Sequence, residues 1–147
     1  MKAEILQRSL ISRYEGEYPS FSAFLLTPAP SLADRESTDA RGVGEVSFGK
    51  GEDLSFSYRE TESGIAVAVK KEGKTLHITR GGGVLRFVYG ERTEFIYRTS
   101  YGALPTEAYC EEISLQKKGH LLLLTLVYTA VFGGMAQKNE MRFKVTY

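Results

Sequence analysis

From Val43 onward, apolar and polar residues alternate with a period of two, in short runs separated by glycine-bearing turns. Leu54, Phe56 and Tyr58 alternate with Ser55, Ser57 and Arg59. Ile65, Val67 and Val69 alternate with Ala66, Ala68 and Lys70, and Leu76 and Ile78 with His77 and Thr79. The pattern continues through Leu85, Phe87 and Tyr89, and through Phe95, Tyr97, Thr99 and Tyr101. It resumes at Ile113 and Leu115, and again at Met141, Phe143, Val145 and Tyr147. Successive side chains of a strand point to opposite faces, so each run reads as a strand with one buried and one wet face. Turn signals punctuate the runs at Gly49-Lys50-Gly51, Glu62-Ser63-Gly64, Glu72-Gly73-Lys74, Gly81-Gly82-Gly83, Tyr89-Gly90-Glu91, Lys118-Gly119 and Gly133-Gly134.

Adding an N-terminal strand near residues 4–13 gives about nine strands, within a range of about 8–10. Hairpins in succession form a meander, whose two edges are removed by closure. The expected fold is all-β, a closed antiparallel up-and-down barrel occupying residues 1–147 as a single domain. Residues 15–42 stand apart as a long insertion or flap between the first and second strands. They hold Pro19, Pro28 and Pro30 and the mixed-charge stretch Asp34-Arg35-Glu36-Ser37-Thr38-Asp39. Within them, residues 21–26 are a candidate for a short packed element.

Composition excludes several classes of function. The chain has 147 residues, 42% hydrophobic and 25% charged, an ordinary globular balance rather than a disordered one. Its net charge of +1 argues against a nucleic-acid partner or a polybasic membrane anchor. The basic residues Arg86 and Arg98 lie on faces opposite the aromatic rows, which further disfavours an aromatic nucleic-acid platform. The most apolar stretch, Leu121–Phe132, falls short of the roughly 20 residues a membrane helix needs and reads as a doubly buried central strand. The N-terminus is broken by Glu4 and Arg8 before it reaches signal-peptide length, and the single Cys110 permits no internal disulfide. A cytoplasmic location is therefore expected.

Chemistry-bearing motifs are sparse. Gly73-Lys74-Thr75 has the end of a phosphate loop, but the required earlier glycine is Ala68 and the chain continues as strand. Gly81-Gly82-Gly83 lies between two strands, with no helix N-terminus to hold a phosphate. No Gly-x-Ser-x-Gly elbow is present, and His77, His120 and Cys110 lack metal-ligand spacing. No cofactor is expected.

Strand phase is more informative. Glu60 falls on the face of Leu54, Phe56 and Tyr58, and Arg80 on that of Leu76 and Ile78. Thr99 and Tyr101 continue the face of Phe95 and Tyr97. The inner face thus carries Tyr58, Glu60, Arg80, Tyr97, Thr99 and Tyr101 as candidate ligand-binding residues. An inward charge is costly unless paired or solvated, which suits either a polar plug at the barrel mouth or the wall of a ligand cavity.

The segment Thr99-Ser100-Tyr101-Gly102-Ala103-Leu104-Pro105 resembles the Thr-x-Tyr-Gly-x-Leu signature of the YwiB-like β-barrels, a bacterial family of unknown function. Tyr58-Arg59-Glu60-Thr61 is similar to that family's Tyr-x-Glu-Thr block, and Arg80-Gly81-Gly82 to its Arg-x-Gly block. The resemblance spans residues 43–147. It implies a calycin-like, lipocalin-type closed barrel, cytoplasmic and from low-GC Gram-positive bacteria, with no established activity. Tyr58, Glu60, Arg80, Thr99 and Tyr101 are among the matching positions, whereas residues 15–42 look enlarged. Gly102 marks a turn or close approach in this reading, and Pro105 the end of strand pairing.

Two functional readings follow. The first is a small-molecule binding barrel for an apolar or anionic ligand, with Arg80 fixing an anionic group and Glu60 orienting Arg80. The second is a filled barrel acting as a structural or interaction module and homodimer, motivated by the two apolar faces of the Leu121–Phe132 strand. An enzymatic role for Glu60 with a tyrosine has no nucleophile or metal to support it.

Overall fold

A computed structural model describes residues 1–100 and 102–147, Thr99 by its backbone alone. Tyr101 therefore lies outside the described residues, as does the Thr99 side chain. Among the described residues the alternating runs become ten strands. These are β1 (Lys2–Tyr14), β2 (Leu32–Phe48), β3 (Leu54–Glu60), β4 (Ala66–Glu72), β5 (Thr75–Arg80), β6 (Gly83–Val88), β7 (Arg92–Thr99), β8 (Gly102–Lys118), β9 (Leu121–Phe132) and β10 (Met135–Thr146). A short helix, α1 (Phe21–Leu25), lies between β1 and β2.

All pair antiparallel in one sheet of order β6-β5-β4-β3-β2-β1-β10-β9-β8-β7. Each neighbour is adjacent in the chain, except that β1 and β10 join the first strand to the last. The result is an up-and-down, nearly closed barrel with its seam between β6 and β7. Backbone bonds draw the loop at this seam onto β8: Gly90 N–H donates to the Cys110 carbonyl at 2.9 Å, and Cys110 N–H to that of Glu91 at 3.3 Å. Aromatic packing fills the space behind it. The Phe87 ring meets Phe95 edge-on at 5.6 Å and Tyr128 at 4.4 Å.

The inner face is the core. Ile5, Val46, Phe56, Val69, Leu76, Phe87, Leu124, Phe143 and Val145 are buried there, each contributing about 1.5–3 kcal/mol relative to exposure. Gly42 and Gly44 of β2 let the backbone of β3 approach closely. A Cβ on Gly44 would lie 1.8 Å from the Ser57 carbonyl oxygen, and one on Gly42 would meet the Arg59 carbonyl oxygen and the Tyr58 ring.

β9 is buried on both faces along its second half, where Val127, Thr129 and Val131 face outward and yet are covered. The chain itself helps supply that cover. Ser20 caps α1 by accepting from the Ala23 N–H at 3.1 Å. Tyr18 and Phe21 then pack on Val131 and Ala136 outside the barrel. Phe21 stacks on Tyr109 at 6.3 Å, and the Arg92 guanidinium lies 5.0 Å from its ring centre.

Two expectations need correction. The connection after β1 ends at residue 31, not 42, because β2 begins at Leu32 and pairs with β1 from Tyr14↔Leu32 onward. Residues 32–39 are exposed on both faces, so no apolar alternation marks them. The backbone ladder holds this ribbon, and opposite charges face each other across it, with Arg13 3.1 Å from Asp34 and 2.6 Å from Glu36, and Arg8 3.6 Å from Asp39. Pro105 does not end pairing either, since it lies within β8 opposite Ile96. β9 joins β8 only from Thr106 onward, so Pro105 occupies an edge position where its missing N–H breaks no ladder.

Candidate ligand-binding cleft

The inward alternation that fills the barrel becomes polar toward the end where β3 and β5 stop and β6 begins. Here the barrel opens into a cleft of about 950 Å³. Glu60 ends β3 and Arg80 ends β5, both at the rim. Arg80 donates from Nε to Glu60 Oε2 at 3.0 Å and from Nη2 to Glu60 Oε1 at 2.8 Å, a two-pronged pair. Ser63, in the turn after β3, donates its hydroxyl to Oε1 at 2.6 Å. Glu60 is buried with its side chain 7% exposed, whereas that of Arg80 is 55% exposed. The Arg80 bonds hold the Glu60 carboxyl below its ordinary range, and Glu60 in turn raises Arg80.

A guanidinium has five N–H donors. Glu60 takes the Nε edge, and among the described residues nothing bonds to Nη1. The opposite edge of the fork is therefore left for another acceptor.

The other expected site residues separate. Tyr97 lines the cleft, 38% exposed, with its ring 5.3 Å from that of Phe132. Tyr58 points inward but lies below the cleft, buried against Phe56 at 6.5 Å, and burial raises its hydroxyl pKa. Thr99 ends β7, and its side chain, like Tyr101, lies outside the described residues.

Residues 31–142 match the family described as a domain of unknown function, DUF1934. The chain belongs to the DUF1934 family. No curated protein matches it. Among solved structures, the crystal structure of the YwiB protein from Bacillus subtilis is similar, with a TM-score of 0.60 and 14% identity over 97% of this chain and 92% of that one. At that identity the likeness is one of fold, and it agrees with the calycin-like barrel implied by the sequence motifs. The DUF1934 match takes in Glu60, Arg80, Tyr97, Tyr128 and Asn139 of the cleft, while Gln7 and Ser9 of β1 precede it.

Gln7, Ser9, Tyr128 and Asn139 are cleft residues that the sequence reading did not single out. Phase would have found them. Gln7 and Ser9 continue the inward face of Ala3 and Ile5, Tyr128 that of Leu122 to Leu126, and Asn139 lies one step before Met141 and Phe143. Gln7 donates its amide to the Ser9 hydroxyl. Asn139 Nδ2 donates to the Tyr128 hydroxyl at 3.0 Å. Burial pushes the Tyr128 hydroxyl pKa up to about 12, so it stays protonated. Cys110 is likewise buried, its thiol pushed up to about 11, and does not reach the cleft as a thiolate. Among the described residues, no three of His, Cys, Asp or Glu stand together as metal ligands.

Proposed function

We propose that this DUF1934 barrel binds a small organic anion in the cleft at its mouth. The observation that carries the reading is the edge of the Arg80 guanidinium that has no partner among the described residues, held in place by a buried carboxylate that accepts three hydrogen bonds. A fork fixed on one side and open on the other is prepared for a carboxylate, sulfonate or phosphate, because orienting it costs little further entropy. The size of the cleft supports the reading, since small-molecule sites span about 300–1,000 Å³. Tyr97 and Leu85 supply apolar wall beside the charge.

The reading is tested by fluorescence titration with 6-anilinonaphthalene-2-sulfonate and its neutral counterpart N-phenyl-2-naphthylamine. The sulfonate binds the wild type at least about tenfold more tightly than the neutral probe, and Arg80→Gln removes that preference. Arg80→Lys, which keeps the charge but loses the fork, recovers only part of it. Circular dichroism on each variant separates lost binding from lost fold. Equal binding of both probes, or a preference untouched by Arg80→Gln, would refute an anion site at Arg80.

A further inference from the structure

Asn139 lies in β10 with its side chain inside the barrel, and the residue is 7% exposed. Its directly opposed neighbours are Ile11 of β1 and Tyr128 of β9. Tyr128 takes the amide N–H at 3.0 Å, while Ile11 has nothing polar to offer. Asn139 Oδ1 is consequently buried with no donor, and among the described residues no other buried side-chain nitrogen or oxygen is left so. Buried acceptors are nearly always satisfied, because an unpaired one forfeits its hydration without return. This one belongs to a residue that lines the same cleft as Arg80.

We infer that the bound anion also carries an N–H or O–H donor, which Asn139 Oδ1 accepts, making Asn139 a specificity-determining residue of the cleft. The inference rests on reading the cleft as an anion site. The two anchors lie on different walls, Arg80 on β5 and Asn139 on β10. The ligand class is thus an organic acid with its charged group at one end and a hydrogen-bond donor at the other. A simple alkyl acid fits poorly, since its hydrocarbon end would leave Oδ1 sealed and unpaired. Asn139 is in turn held by Tyr128, whose ring is fixed on Phe87 at 4.4 Å, so the acceptor is pre-positioned.

The test compares 6-anilinonaphthalene-2-sulfonate with its N-methyl analogue, which keeps the sulfonate and the rings but lacks the N–H. The wild type prefers the N–H probe by about tenfold. Asn139→Leu, similar in size, equalises the two probes while retaining sulfonate binding, and Asn139→Ala does the same should the leucine variant fail to fold. Arg80→Gln weakens both probes by a similar factor. Equal affinity of the two probes for the wild type, or a preference that survives both Asn139 substitutions, would overturn the donor-reading role while leaving the anion site standing. Failure of both sulfonates to bind would remove the anion site and this inference with it.

Discussion

The chemistry of the cleft depends on two side-chain pairs of opposite design. Glu60 and Arg80, joined by Ser63, leave donors over on the guanidinium, whereas Asn139 and Tyr128 leave an acceptor over. The first pair has a defined pH dependence. Glu60 is held below its ordinary value chiefly by the Arg80 bonds, so its contribution to stability is complete above the unfolded-chain pKa of about 4.3. That contribution is lost as pH falls through the lower folded value. Glu60→Gln is expected to cost about 1–2 kcal/mol at pH 7, a modest figure because solvent at Arg80 screens the pair. Urea denaturation of both proteins at pH 7 and pH 3 checks this. The gap narrows at pH 3, below the unfolded-chain pKa, because the unfolded wild-type chain there gains a proton that the folded carboxylate resists. An unchanged gap would mean that the charge of Glu60 contributes nothing.

At the scale of elements, the cleft exists because neighbouring strands end at different heights. β2 runs on from the end of β3 by ten residues on its N-terminal side, residues 32–41, while β3 pairs with it only from Gly42 to Phe48. Within the paired stretch the β3 backbone crowds Gly42 and Gly44. Gly44→Ala forces a Cβ against a backbone carbonyl that cannot move aside alone, and should destabilise the fold by about 3 kcal/mol or more. A thermal midpoint within a degree or two of the wild type would contradict that account of the close approach. The elements also explain what the sequence conveyed. β3 to β6 and the second half of β10 have one inward apolar row and were legible by period two, while β9 was legible as a run apolar on both faces. The first half of β2 was not, because its side chains are wet on both faces and only the backbone ladder to β1, which has no sequence signature, pairs it. Pro105 misled for a related reason. A proline forbids pairing only on the side of its missing N–H, and that side is open here.

At the scale of the molecule, the order of strands was readable because a meander of hairpins has essentially one way to close, and the DUF1934 and YwiB similarities agree with it. The candidate site was only half readable. Phase brought Glu60, Arg80 and Tyr97 to the inner face, but it does not report depth, so Tyr58 came with them although it is buried below the opening. Depth follows from where each strand ends, which only the assembled barrel reveals. The outer surface has its own apolar spots, including Leu25, Leu26 and Met135, where an aromatic probe could rest without entering the barrel. The central claim is therefore one of place. The most direct measurement is a ¹H–¹⁵N NMR titration of the labelled protein with 6-anilinonaphthalene-2-sulfonate. The account predicts saturable shifts at Ser9, the Arg80 side-chain N–H, Tyr97 and the Asn139 side-chain amide, with Lys71 and His120 at the far end unmoved. Shifts confined to Leu25, Leu26 and Met135, with the Arg80 and Asn139 signals still, would contradict it.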